Sequence, residues 1–126
     1  MPAWVRYVIA FVVLSHAFIY VRIGAVLPGP IEQWTGRSRL LGGAVTGRAL
    51  VTLSRIVHVV AGAVLLACAV ALALNHASWR PLAIAGSAIG LAAFAIFWDG
   101  QTEFLAEEGV IGAGVSLVWL VVALLA

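Results

Sequence analysis

Charged residues are scarce in this sequence, and lysine is missing from it altogether. Only 10% of the 126 residues are charged, whereas 64% are hydrophobic and the mean hydropathy is +1.15. A soluble domain of this length covers its core with a charged surface, and these charges are too few to supply one. The composition therefore excludes an ordinary soluble domain and indicates an integral membrane protein.

Basic tracts and paired cysteines are also lacking. The seven basic residues are all arginine and are spread along the chain, so we expect no nucleic-acid partner. The single cysteine, Cys68, has no partner for an internal disulfide. It lies in an apolar segment, and we interpret it as a packing residue.

Apolar segments that are long enough to cross a bilayer recur four times. A hydrocarbon core of about 30 Å needs about 20 helical residues. Backbone polar groups in lipid must be paired within each segment, which favours helices. The sequence therefore predicts an all-α fold, a membrane-spanning four-helix bundle in the lipid bilayer. We expect a single domain over residues 1–126, with spans at about 4–27, 50–74, 81–98 and 107–126.

Prolines mark two of the expected boundaries. Pro28 and Pro30 end the first span, because proline lacks the amide hydrogen that a helix interior needs. Pro81 is expected at the start of the third span, where that hydrogen has no helical partner. The sequence PGPIEQWTGRSRLLGGAVTGR between the first two spans is expected to lie on the membrane surface, with a short interfacial helix near IEQW.

Four of the five carboxylates fall in one segment, WDGQTEFLAEEG, which links the end of the third span to the start of the fourth. They are Asp99, Glu103, Glu107 and Glu108. If the spans alternate in direction, this segment shares one side of the membrane with Arg22, Arg37, Arg39 and Arg48. We expect arginines of the first loop or of the second span to pair with these acids. The arginine bias of cytoplasmic loops predicts that this side faces the cytoplasm.

Polar residues within the spans lie toward the same side. His16 is about two turns from Arg22, and Arg55 and His58 fall in the first turns of the second span. Ionisable groups inside a membrane are costly and usually face the protein interior. The candidate binding cluster therefore comprises His16, Arg22, Arg48, Arg55, His58, Asp99, Glu103, Glu107 and Glu108.

The sequence leaves two functions open for this cluster. Salt bridges between loops, helped by a helix dipole, explain the acids in a structural or accessory membrane subunit without enzymatic activity. Alternatively, the cluster binds the anionic head group of a lipid-like small molecule, or serves a small intramembrane enzyme. That alternative uses His16, Arg55, His58 and Asp99. We favour the non-enzymatic role, because the sequence contains no nucleophile–base pair, metal motif or phosphate loop.

No cofactor is predicted. The sequence contains neither HExxH nor HxxEH spacing. As an alternative, His16 and His58 in adjacent spans could ligate a metal or bracket a haem.

Small residues recur at four-residue spacing in the later spans, where they let helix backbones approach. We expect them to serve packing within the bundle, with a homo-oligomer or a larger membrane complex as the alternative. The pairs are Ala63 and Ala67, Gly86 and Gly90, and Gly112 and Ser116.

Three features of the sequence carry a resemblance: His16, the sequence WDG at 98–100 and the sequence EEGVIGAGVS. Through them the chain resembles a group of uncharacterised small bacterial and archaeal four-span integral membrane proteins. The resemblance implies a multi-pass protein of a prokaryotic cell membrane and no particular activity. Small multidrug exporters have a similar length and span number. They differ in carrying an acidic residue in the first span, where this chain has His16.

Overall fold

The computed structural model describes residues 1–27, 29, 34–102 and 109–125. Within these ranges the chain forms four α-helices and no β-strand. The predicted all-α four-helix bundle is confirmed. The helices are α1 (Ala3–Val26), α2 (Gly47–Ala73), α3 (Trp79–Phe97) and α4 (Ile111–Leu125).

Three of the helices in the described part of the chain are long and apolar enough to cross a membrane. They are α1, α2 and α3, with 24, 27 and 19 residues. The fourth, α4, has 15 residues, which gives a length of about 22 Å at about 1.5 Å per residue. This is less than the hydrocarbon core of about 30 Å. The fourth predicted span includes residues 107 and 108, which lie outside the described ranges.

Helix α1 ends close to its predicted boundary, and two other helices begin ahead of theirs. Leu27, which follows α1, has an extended backbone (φ −84°, ψ 152°), the conformation favoured before a proline. Helices α2 and α3 begin before Leu50 and Pro81, the predicted starts of their spans. Hydropathy marks only the apolar part of a helix, whereas the helix itself continues through arginines whose side chains reach the interface.

Glycines bring α1 and α2 into close contact. A Cβ atom on Gly24 would lie 2.7 Å from the carbonyl oxygen of Arg55, and one on Gly62 would lie 3.0 Å from the carbonyl oxygen of Ala17. The two backbones therefore touch, as is common for helices in lipid. The remaining helices pack in chain order, α2 on α3 and α3 on α4.

The small-residue pairs differ in their placement. Gly86, Gly90 and Ser116 are buried at contacts between helices, whereas Ala63 and Ala67 are exposed on the outer surface of α2. The spacing alone does not distinguish these cases. It places two small residues on the same face of a helix, but it does not show whether another helix packs against that face.

The first loop folds against the C-terminus of α3. The backbone amide of Arg39 donates a hydrogen bond to the carbonyl oxygen of Trp98 at 2.9 Å, and the Ser38 hydroxyl donates one to the carbonyl oxygen of Ile96. The guanidinium of Arg39 lies 6.0 Å from the centre of the Trp98 ring. We call residues 34–46 and 98–102 the loop end of the bundle. The predicted interfacial helix at 31–34 falls mostly outside the described residues.

At the opposite end of the bundle, the start of α3 contacts the end of α4. Arg80 Nε donates a hydrogen bond to the carbonyl oxygen of Ala123 at 2.7 Å, and its terminal nitrogen donates one to that of Leu124 at 3.1 Å. Both carbonyls belong to the last turn of α4, which has no helical donors for them. A cation also interacts favourably with the C-terminus of a helix.

Candidate functional site

A polar cluster lies inside the bundle between α1 and α4. His16 Nε2 lies 3.1 Å from Ser116 Oγ, and the hydroxyl of Tyr20 lies 3.2 Å from the same atom. All three side chains are buried. A serine hydroxyl has one proton to donate and two lone pairs to accept with. Ser116 can therefore partner His16 and Tyr20 at the same time.

The Tyr20 hydroxyl is accommodated because residue 90 is glycine. A Cβ atom on Gly90 would clash with the Tyr20 hydroxyl and would lie 3.0 Å from Ser116 Oγ. Gly90 thus leaves the space on α3 in which the side chains from α1 and α4 meet.

His58 of α2 continues this cluster. The ring centre of Tyr20 lies 5.0 Å from that of His16, edge to face, and 5.9 Å from that of His58. His58 Nδ1 lies 2.7 Å from the carbonyl oxygen of Ser54. A carbonyl oxygen only accepts, so Nδ1 carries the proton in this bond. The neutral imidazole then has a free lone pair on Nε2.

A cavity of about 220 Å³ adjoins these side chains. His16, Tyr20 and His58 line it, and the rest of its lining is apolar or glycine, including Phe94 and Gly112. The two histidines identified from the sequence therefore share one cavity. Tyr20 was missed, because a tyrosine in an apolar segment is usually a packing residue. Its spacing of four residues from His16, which places both on one helix face, was the available signal.

The arginines of the predicted cluster do not share this cavity. Arg22, Arg48 and Arg55 are exposed, and none of them is among the residues that line it. All three belong to the parts of α1 and α2 near the loop end, where long side chains reach toward the interface. The predicted cluster is therefore divided, with the histidines inside and these arginines outside.

Asp99 belongs to the loop end and does not line the cavity. Its Oδ2 accepts hydrogen bonds from the amide and hydroxyl of Thr35, at 3.2 and 2.9 Å. The backbone amide of Gln101 donates to Oδ1 at 3.0 Å, and its side chain donates to Oδ2 at 2.9 Å. Burial acts to raise the pKa of Asp99, but the hydrogen bonds from Gln101 and Thr35 outweigh it and lower this pKa to about 2.

The arginine partner expected for Asp99 is therefore wrong. In the described ranges, its oxygens are satisfied by Thr35 and Gln101 and form no arginine salt bridge. Two of the four donors are backbone amides, which require no long side chain to be immobilised. Glu103, Glu107 and Glu108 lie outside the described residues, and their pairing with arginine stays a prediction.

Among the described residues, no group of three or more His, Cys, Asp or Glu side chains is placed to hold a metal ion. The Tyr20 ring contacts both imidazoles. A haem bracketed by His16 and His58 would have to displace that ring, so the present arrangement does not fit a haem.

No protein-family model, curated protein or solved structure matches this chain. Its function is therefore inferred from the residues described above.

Proposed function

We propose that this is a multi-pass integral protein of a prokaryotic cell membrane that binds a lipid-like small molecule and catalyses no reaction. In this proposal all four helices cross the bilayer. Large apolar side chains are exposed on α1, α2 and α4, such as Phe11 on α1 and Leu117 on α4. Helix α4 carries no charged residue. A short apolar helix is accommodated by local thinning of the bilayer.

The cavity beside His16, Tyr20 and His58 carries this proposal. Binding sites for small molecules are concave and mostly apolar, with a few polar groups that converge on the ligand. Here three hydrogen-bonding side chains from two helices line one space whose other lining residues are apolar or glycine. Such groups are costly inside a membrane, and they usually mark a functional site.

Binding is favoured over intramembrane catalysis because the four residues proposed for catalysis do not lie together. The enzyme hypothesis used His16, Arg55, His58 and Asp99. Arg55 is exposed, and Asp99 is hydrogen-bonded within the loop end. Neither lines the cavity, so the histidines would have to act without either charge.

A thermal-shift screen in detergent with neutral, zwitterionic and anionic lipids and with quinones tests the proposal. A ligand that binds only the folded protein stabilises it by about 2.7 kcal/mol at about 100 times its Kd. We expect at least one compound to raise the melting temperature of the wild-type protein. If none does, the binding proposal is overturned.

Two variants localise the effect. Gly112→Leu extends a side chain into the cavity from a Cβ position 3.6 Å from His16 Cε1. Ala92→Leu adds the same bulk on an exposed position of α3. Ligand stabilisation should disappear in Gly112→Leu and persist in Ala92→Leu. Equal stabilisation of both variants would place the ligand elsewhere.

A structural or accessory role is the second candidate. It is supported by the loop end, where the bonds of Arg39 to Trp98 and of Thr35 to Asp99 hold two loops together. Ala63 and Ala67 are exposed four residues apart on α2, a spacing that suits contact with another helix. If Ala63→Leu with Ala67→Leu does not change the molecular mass of the assembly in detergent, that surface is not the seam of a homo-oligomer.

A further inference from the structure

A cleft of about 410 Å³ separates α1 from α4. Among the described residues, these two helices do not pack along their length, and Ser116 joins them through its hydrogen bonds to His16 and Tyr20. The cleft is lined by Val12, Val13, His16, Ile111, Gly114, Val115, Val118 and Trp119.

The cleft and the cavity are neighbouring spaces. His16, Ile111 and Val115 line both of them. The cleft contributes almost only apolar surface, whereas the cavity contributes the polar atoms of His16, Tyr20 and His58. Together their volumes fall in the range of about 300–1,000 Å³ that is typical of small-molecule sites.

We propose that the ligand is a neutral amphiphile whose hydrogen-bonding ring, of the quinone or phenol class, occupies the cavity. Its apolar chain lies in the cleft, and it reaches the site sideways from the bilayer between α1 and α4. This inference rests on the proposed function and assigns the ligand class and the access route for the same site.

The absence of charge in the lining supports a neutral head group. No arginine, aspartate or glutamate is among the described residues that line either space. A phosphate or carboxylate buried there would lack a cationic partner, which is costly in a region of low dielectric. The anionic head group considered from the sequence is therefore disfavoured at this position.

The aromatic lining supports a ring. Tyr20, His58 and Phe94 present flat side chains to the cavity, and aromatic groups pair favourably at centroid distances of about 4.5–7 Å. The hydroxyl of Tyr20 and the imidazole of His16 can donate hydrogen bonds. A ring that carries a carbonyl or hydroxyl group satisfies both features of the lining.

Ser116 makes the polar contact that the proposed ligand must replace when it separates the two helices. It is the partner of both His16 and Tyr20. A carbonyl oxygen of the ligand can accept the hydrogen bonds that these side chains donate, and can thus replace the serine. The exchange keeps His16 and Tyr20 paired, and the freed Ser116 hydroxyl can donate to a backbone carbonyl of its own helix. Separating α1 from α4 therefore costs less when a ligand is present.

The chain of the ligand acts chiefly through its shape. The cleft and the surrounding lipid are similarly apolar, so transfer of the chain between them has little hydrophobic driving force. A filled cleft would nevertheless exclude the chain, and with it the attached ring. A comparison of ligands with and without the chain therefore separates the effect of the chain on affinity from that of the ring.

Gly114→Leu tests both the placement of the chain in the cleft and the access route between α1 and α4. A Cβ atom on Gly114 meets nothing within 4 Å, so the new side chain can enter the cleft without disturbing its neighbours. Leu117→Phe adds bulk on an exposed position of α4 that lines neither space, and it serves as the control. The probes are a decyl-substituted benzoquinone, the same ring with methyl in place of the chain, and decyl phosphate. Affinities and association rates are measured with purified protein in nanodiscs.

We expect the wild-type protein and Leu117→Phe to bind both quinones. Gly114→Leu should lose about tenfold in affinity for the decyl quinone, which corresponds to about 1.4 kcal/mol, and bind the methyl-substituted ring with unchanged affinity but more slowly. Equal affinity of Gly114→Leu and wild type for the decyl quinone would overturn the placement of the chain in the cleft. Equal association rates of the two proteins with the methyl-substituted ring would overturn the access route, and both outcomes leave the proposed function standing. Tighter binding of decyl phosphate would overturn the neutral head group. Failure of both quinones would overturn the ligand class, and the lipid screen then decides the proposed function separately.

Discussion

The hydroxyl groups of Tyr20 and Ser116 lie 3.2 Å apart and join the first helix of the bundle to the last. Gly90 of α3 leaves the space for this contact. His16 binds the same serine oxygen. Three helices thus contribute to the position of one hydroxyl group, and the polar interior depends on the residues at 90 and 116.

Ser116→Ala should destabilise the protein by about 0.6 kcal/mol, the average for hydrogen bonds between membrane helices, and by no more than about 1.7 kcal/mol. The change leaves His16 and Tyr20 without their shared partner. Chemical unfolding in detergent measures the effect. Ser15→Ala is the control, because Ser15 is exposed and bonds only to the carbonyl oxygen of Phe11 in its own helix. Equal stability of Ser116→Ala and wild type would show that the contact contributes nothing.

Gly90→Ala should cost about 1–3 kcal/mol through overpacking. The new methyl group would meet the Tyr20 hydroxyl and lie 2.9 Å from Tyr20 Cζ. Tyr20→Phe removes the hydroxyl, so the double variant should lose less stability than the sum of the two single variants. Gly114→Ala is the matched control, since its methyl group meets no neighbour. Additive losses would contradict a clash at Tyr20.

The sequence predicted the helices better than it predicted the site. Apolar segments and prolines define the helices because these features act locally on the backbone. His16 and His58 were identified because ionisable groups are rare in membrane segments. Tyr20 was not, since its role depends on Gly90 and Ser116, which lie far away in the chain. No local pattern encodes the meeting of residues from three helices.

The acidic segment is a second case in which the sequence did not predict the contacts of a residue. Charge alone predicted that Asp99 pairs with arginine, whereas its partners are Thr35 and Gln101. Hydrogen bonds from backbone amides depend on how a loop turns, and the sequence does not reveal this directly. Arg39 does contact residues 98–102, but through the ring and carbonyl oxygen of Trp98.

Asp99 should make the stability of the protein dependent on pH in the acid range. Its pKa is lowered from 3.8 to about 2 in the folded protein. The folded form therefore binds fewer protons than the unfolded form, and the stabilisation is present above pH 3.8 and lost as the pH falls toward about 2. Asp99→Asn should weaken the pH dependence of the unfolding midpoint in this window.

Thr35→Val should raise the pKa of Asp99 toward its ordinary value, because the carboxylate loses the hydroxyl donor at 2.9 Å. NMR titration of the Asp99 carboxyl carbon measures this shift. Thr46→Val is the matched control, since the Thr46 side chain makes no capping hydrogen bond at the start of α2. An unchanged titration of Asp99 in Thr35→Val would contradict the proposed cause.

Arg80→Gln should destabilise the protein by about 0.3–1 kcal/mol, the usual value of a cation at an accessible helix C-terminus. The variant loses the charge beside the carbonyl oxygens of Ala123 and Leu124. Thermal unfolding in detergent measures the loss, with Arg22→Gln as an exposed control. A loss no larger than that of Arg22→Gln would show that Arg80 does not stabilise α4.

The pairing of Ser116 with His16 and Tyr20 also bears on biogenesis. During synthesis α1 is made before α4, so the imidazole of His16 and the phenol of Tyr20 lack their partner until α4 has been added. Gly24 and Gly62 allow α1 to associate with α2 in the meantime. The polar site therefore forms only once α4 is in place, and a nascent chain that stops after α3 contains the histidines of the site but not the serine that pairs with His16 and Tyr20.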